Sequence, residues 1–239
     1  DGKMNKFLAE NIKNMPSSGI RKFFDVANMM ENAISLGVGE PDFETPWHIR
    51  EAAISSLEKG HTSYSSNTGM LELREAVSDY LDEKYSTKYD PKTQIVITIG
   101  ASEGIDIALR AIINPGDEVL VIEPSYVSYK PCVSMCGGVP VPVVTYEEND
   151  FRVTPKEIES KITPKTKAII LPYPNNPTGG IMEIDDLAAI SKVIIEHDLF
   201  VISDEIYSEL TYGTKHVSIA SLPGMYERTV VLNGFSKAF

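Results

Sequence analysis

From about residue 94 onward, short runs of β-branched and aliphatic residues alternate with segments whose apolar positions recur at helical spacing. The runs at 94–99, 118–122, 139–144, 168–171, 199–203 and 229–232 are predicted strands. Several are almost continuously apolar, the pattern of strands covered on both faces. Between them, Ile105, Ala108, Leu109 and Ile112 form one helical stripe, and Leu187, Ile190 and Ile194 form another. Strands alternating with helices predict an α/β fold of three layers, α-β-α, around a mostly parallel central sheet.

Upstream, Leu73, Val77, Tyr80 and Leu81 mark a further amphipathic helix, and residues 4–35 carry a less regular helical arm. The arm runs into the turn-rich stretch GVGEPDFETP, which places a boundary between residues 1–42 and residues 43–239. The Pro-Gly turn at Asn114-Pro115-Gly116-Asp117 and the Thr163-Pro164 pair read as connections within one domain. Neither an internal repeat nor a low-complexity linker is visible.

Composition narrows the class. Apolar residues at 42% and charged residues at 23% are those of an ordinary globular protein. The formal charge of −12 disfavours nucleic acid and anionic membrane as partners, and no basic cluster opposes it locally. No apolar run reaches the ~20 residues of a bilayer span, and the first residues lack the apolar centre of a signal peptide, so a cytoplasmic protein is expected. Met4 reads as a natural start, with Asp1-Gly2-Lys3 outside the fold. Cys132 and Cys136 fall four apart in a helical stretch and are expected to be reduced and buried; the four histidines show no metal-ligand spacing.

In open parallel sheets, ligands bind outside the carboxyl ends of the strands, so function is read from the strand exits. The exit Ile99-Gly100-Ala101-Ser102-Glu103 breaks a strand at glycine and starts a helix, with Ser102 placed as N-cap; such a helix end suits an anion, although any capped helix looks similar. The exit Glu123-Pro124-Ser125-Tyr126-Val127-Ser128-Tyr129 puts Tyr126 where it can stack on a flat ring or simply pack. Pro172 to Gly180 is dense in turn residues and carries two side-chain amides. The segment Ser203-Asp204-Glu205-Ile206-Tyr207 ends an apolar strand with an acid, whose ordinary role would be helix capping. Asn233-Gly234-Phe235-Ser236-Lys237 delivers a lysine to the same edge.

A phosphate cradle, an aromatic plate, an amide, a carboxylate and an amine at one sheet edge match the needs of a phosphorylated pyridinium aldehyde. The motifs LGVGEPDFETP, YSSNTGMLELREA, GASEG, NPGDEV, EPSYVSY, NNPTGG, SDEIY and NGFSK, in that order, resemble the class I/II aminotransferase family of fold-type-I enzymes, from the arm to Lys237. The resemblance implies pyridoxal 5'-phosphate as cofactor, residues 1–42 as an arm with part of a small domain, and residues 43–239 as a cofactor-binding large domain, incomplete at its C-terminal end. It implies Lys237 as the Schiff-base lysine and Asp204 as partner of the pyridinium nitrogen. Asn176 and Tyr207 would donate to the ring oxygen, and Tyr126 would stack on the ring. Gly100, Ala101 and Ser102 would cradle the phosphate with Ser236 nearby. Tyr64 would reach the phosphate of a neighbouring subunit, hence a homodimer, and Gly39 would line the amino-acid site.

The reaction expected from the resemblance is amino-group transfer between an L-amino acid and a 2-oxo acid. A carbon-sulfur lyase on the same scaffold, or a non-catalytic sensing module, would keep the same cofactor residues. The family continues beyond its lysine with arginines for the phosphate and the substrate carboxylate, so this stretch alone is expected to have little activity.

Overall fold

The structure, a computed structural model, describes residues 5–15, 39 and 43–239. The chain forms two compact units, Asp1–Glu44 and Thr45–Phe239. Within the first unit, a short 3-10 turn at Asn5–Phe7 precedes helix α1, Glu10–Lys13. Most of the predicted arm at 4–35 lies outside the described residues.

The second unit opens with helices α2, Trp47–Glu58, and α3, Leu71–Tyr85, followed by α4, Gly100–Ile112. Strand β1, Glu118–Glu123, leads through α5, Tyr129–Met135, to β2, Val139–Val144. Helix α6, Pro155–Glu159, precedes β3, Thr166–Pro172. Helix α7, Ile184–Glu196, precedes β4, Phe200–Asp204, and the last strand is β5, Thr229–Leu232. The sheet order is β2-β1-β3-β4-β5, and every pairing is parallel.

Strand periodicity builds the layers. Leu120, Ile122, Ile169, Leu171 and Val201 face one way and pack with Ile158 of α6 and Leu187, Ile190 and Ile194 of α7. Their neighbours Val119, Val121, Ala168, Ile170 and Ile202 face the other way, against Ile105 and Leu109 of α4 and Val133 of α5. Successive side chains on a strand point to opposite faces, so an apolar residue at every position requires a helix layer on each side. Burying each Leu, Ile or Val contributes about 1.5–3 kcal/mol, and this double burial gives the expected three-layer α-β-α arrangement.

One local expectation fails, and one helix was not anticipated. The segment 94–99 forms no strand: the Ile97 amide donates to the Thr68 carbonyl, and Val96 and Ile99 stay exposed. Its β-branched composition favours extension, but a strand is stabilised by cross-strand neighbours, and no described strand pairs with it. Helix α2 was not anticipated from the apolar pattern, because none of its residues is buried. Good helix formers such as Glu51, Ala52, Ala53 and Leu57 sustain it instead.

The order β2-β1-β3 means the chain leaves β1 to one side and returns on the other. Loops diverge at such a reversal and open a crevice beyond the strand ends. The exits of β1 and β3 border it.

Candidate active site

The N-terminus of α4 forms one wall of the crevice. Gly100 has a φ of +73°, a left-handed conformation that glycine adopts without steric penalty. A Cβ built there would meet nothing within 4 Å, so the backbone turn and not crowding calls for glycine. At Gly104 the reverse holds: a Cβ would lie 2.9 Å from Leu232 Cδ2, so its absence lets α4 lie close against β5. Ser102 is not the N-cap. That position is Ile99, with no side-chain cap bond, and the Glu103 carboxylate accepts the Ile99 amide instead. Ser102 therefore sits in the first turn, where backbone N–H groups lack intrahelical partners and the helix dipole favours an anion.

Asp204 ends β4 and is almost fully buried. Its Oδ2 accepts the Tyr129 hydroxyl at 2.7 Å and its Oδ1 accepts the Ile206 amide at 3.2 Å, a local turn contact and not a helix cap, since Tyr207 is the N-cap of the short 3-10 helix that follows. Burial pushes the Asp204 carboxyl above the ordinary carboxylate range; the neighbouring Glu205 charge adds to this, and the bonds from Tyr129 and Ile206 oppose it. Tyr129 is raised well above the ordinary tyrosine range, first by burial and then by Asp204, so its hydroxyl remains a donor. Tyr126 meets the Tyr129 ring edge-on, with centroids 5.6 Å apart.

At the exit of β5, Lys237 Nζ lies 5.8 Å from the centroid of the Tyr207 ring, which follows β4. At the exit of β3 the two amides divide. Asn176 lines the crevice, whereas Asn175 Nδ2 donates to the Pro124 carbonyl at 2.7 Å and to Thr178 Oγ1 at 3.2 Å, fastening the β3 exit to the β1 exit.

Together these exits enclose a cleft of about 230 Å³. Gly100, Ala101 and Ser102 line it from α4, and Tyr126 from beyond β1. Asn176, Asp204, Tyr207, Ser236 and Lys237, also predicted from the sequence, line it as well. Two predicted residues are not among the lining groups. Tyr64 projects fully into solvent, and Gly39 belongs to the first compact unit. Tyr129 and Ile105 also line the cleft and were given no role from sequence. Tyr129 was detectable in principle, since it follows Tyr126 by three residues within EPSYVSY and begins α5. The cysteines only partly follow expectation: both are unpaired, but Cys132 is buried in α5 while Cys136 caps the helix and is half-exposed.

The donor set fits a small planar ligand bearing an anionic arm and a ring cation. A helix N-terminus suits the arm, one buried acid suits the cation, an aromatic residue suits the ring face, and an amine lies within the same walls.

Comparison with known proteins agrees. The family model described as aminotransferase class I and II matches residues 31–239. The aromatic-amino-acid aminotransferase 2 of Thermococcus litoralis is 49% identical over 233 residues, covering 97% of this chain and 60% of that protein. The aspartate aminotransferase of Pyrococcus abyssi is 46% identical over 97% of this chain and 60% of its own length. Among solved structures, the aspartate aminotransferase of Thermus thermophilus with maleate superposes with a TM-score of 0.91 at 36% identity, covering 97% of this chain and 61% of that one. The chain thus spans about 60% of the length of the curated relatives it matches.

Proposed function

Because the chain belongs to the class I and II aminotransferases, a pyridoxal-phosphate-dependent family, we propose that the complete protein transfers an amino group between an L-amino acid and a 2-oxo acid. The observation that carries this reading is the convergence of Lys237 and Asp204, from successive strand exits, on one cleft walled by the N-terminus of α4.

When bound, the cofactor supplies an aldehyde that condenses with amines and a cationic ring that accepts electrons. Lys237 is the residue that would attach it, and its amine could then carry a proton to and from the substrate carbon. Asp204 would hold the proton on the ring nitrogen. For that it must be ionised in a buried setting, and the Tyr129 hydroxyl and Ile206 amide favour the charged form there. Asn176 and Tyr207 would donate to the ring oxygen, and Tyr126 would cover one ring face. Gly100, Ala101 and Ser102 take the phosphate at the helix end, with Ser236 beside them. Tyr64, directed into solvent, would complete the phosphate site of a second protomer in a homodimer.

The test is to load the complete protein with pyridoxal 5'-phosphate and follow the pH-dependent visible absorbance of the lysine-bound cofactor. Lys237→Ala should abolish it, and steady-state kinetics with an amino acid and a 2-oxo acid should be ping-pong. An unchanged spectrum in Lys237→Ala would defeat the assignment. Ammonia and oxo-acid release without an acceptor would replace transfer by elimination on the same cofactor.

A further inference from the structure

On the face of β4 opposite the cleft, a second carboxylate is buried. Glu205 follows Asp204 directly and is 0% exposed. Ser203 Oγ and Ser218 Oγ each donate to its Oε1 at 2.8 Å, and the Tyr173 hydroxyl donates to the same oxygen at 3.2 Å. His216 Nε2 lies 2.8 Å from Oε2. A carboxylate is acceptor-only, so all four groups donate to it, three to Oε1 and one to Oε2, with the proton of His216 on Nε2. The His216 ring stacks on Tyr173 at 5.1 Å between centroids and meets Tyr85 edge-on at 5.2 Å. None of these groups lines the cleft.

The location of this hub gives it a task. The β3–β4 ladder ends at the pair Pro172 and Asp204, and the β4–β5 ladder ends at Asp204 and Leu232. Past those pairs the chains carry the proposed cofactor groups, and Pro172, Pro174 and Pro177 have no N–H with which to extend a ladder. Two backbone bonds remain, from Tyr173 N to the Asp204 carbonyl at 3.1 Å and from Glu205 N to the Leu232 carbonyl at 2.9 Å. Beyond them, the side chain of Glu205 grips the Tyr173 hydroxyl, and that hydroxyl accepts the Ile219 amide at 2.7 Å. Tyr173 lies three residues before Asn176, Glu205 is adjacent to Asp204, and Leu232 leads to Lys237.

We propose that Glu205 is a positioning residue, a buried anionic hub that holds the exits of β3 and β4 at the spacing which lets Asn176 and Asp204 act on one cofactor. The proposal rests on the functional reading above. The hub does not touch the cofactor; it fixes the chain segments that do.

The experiment measures the dissociation constant of pyridoxal 5'-phosphate for the complete protein by absorbance titration, well below the melting temperature of each variant. Glu205→Ala should keep its circular dichroism and bind about tenfold more weakly or worse. Glu205→Gln should return to within about threefold of wild type. Its amide oxygen keeps the three hydroxyl donors, and its N–H can face His216 in the other tautomer. Should Glu205→Ala not fold, the double variant Ser203→Ala with Ser218→Ala removes two donors and should weaken binding about three- to tenfold. A folded Glu205→Ala, or the double serine variant, with wild-type affinity overturns the proposal. Wild-type protein that takes up no cofactor overturns the functional reading as well, and so separates the two failures.

Discussion

Asp204 and Glu205 are consecutive, both buried, and chemically almost the same, yet their surroundings are opposite. Glu205 is met by four side-chain donors; Asp204 receives one hydroxyl and one amide. Strand parity causes the split, because neighbouring residues face opposite layers: Asp204 meets Tyr129 of the α4–α5 side, and Glu205 meets Tyr173 of the α6–α7 side. A carboxylate met by four side-chain donors is a fastener. One with fewer donors, held in a cleft with its proton affinity raised, is available to an incoming cation.

The sharpest way to break this contrast is Asp204→Ala. It should lower kcat by about 10²–10⁴-fold, the usual scale for losing a positioned proton-handling group, while leaving the folded state intact by circular dichroism. If turnover survives, Asp204 is no more functional than its neighbour.

Tyr129→Phe probes what keeps Asp204 ionised. A hydrogen bond to a charged group contributes about 1.5–3 kcal/mol, so kcat/KM should fall about tenfold or more. The lost bond is one that lowers the Asp204 pKa, so the acid limb of the pH–rate profile should move to higher pH. A limb that stays in place would assign Tyr129 to packing alone.

On the hub side, Ser218→Ala deletes one neutral donor to Glu205 and should cost about 0.5–1.5 kcal/mol of stability in a denaturant titration. The smallest effect runs in the opposite direction. In cofactor-free protein, the raised Asp204 pKa means that its contribution to stability is full below the ordinary aspartate range and is lost as pH rises through the folded value. Asp204→Asn should therefore raise the melting temperature near neutral pH by roughly 2–4 °C, the shift that about 1 kcal/mol gives in a domain of this size. The gain should shrink toward pH ~4. A variant that melts lower at pH 7 would show that Asp204 is as structurally required as Glu205.

The sequence made the sheet legible because doubly covered strands write their burial in consecutive residues; 118–122 and 199–203 could hardly be read otherwise. Where an element depends on something beyond its own pattern, the reading failed. The run 94–99 has strand composition without a described neighbour to pair with, and α2 is a helix that buries nothing. In the site, residues directly after strands were legible because topology alone brings strand exits together. Tyr129 was not, since its role depends on which way the first turn of α5 faces. The Glu205 hub was hidden for another reason: it joins positions 173, 203, 205, 216 and 218 through tertiary packing, and nothing local marks Glu205 beside the more conspicuous Asp204. Alternation along the strand would have assigned the two acids to different faces, which is the signal that was available.

The missing side chain at position 104 has a further implication. There α4, whose first turn forms the anion-receptive wall, rests directly on Leu232, the last residue of the strand that runs on to Lys237. Volume at the two sites is therefore a shared quantity: in a combinatorial library, alanine at 104 should survive chiefly alongside a shortened residue at 232, so that these positions would mutate as a pair.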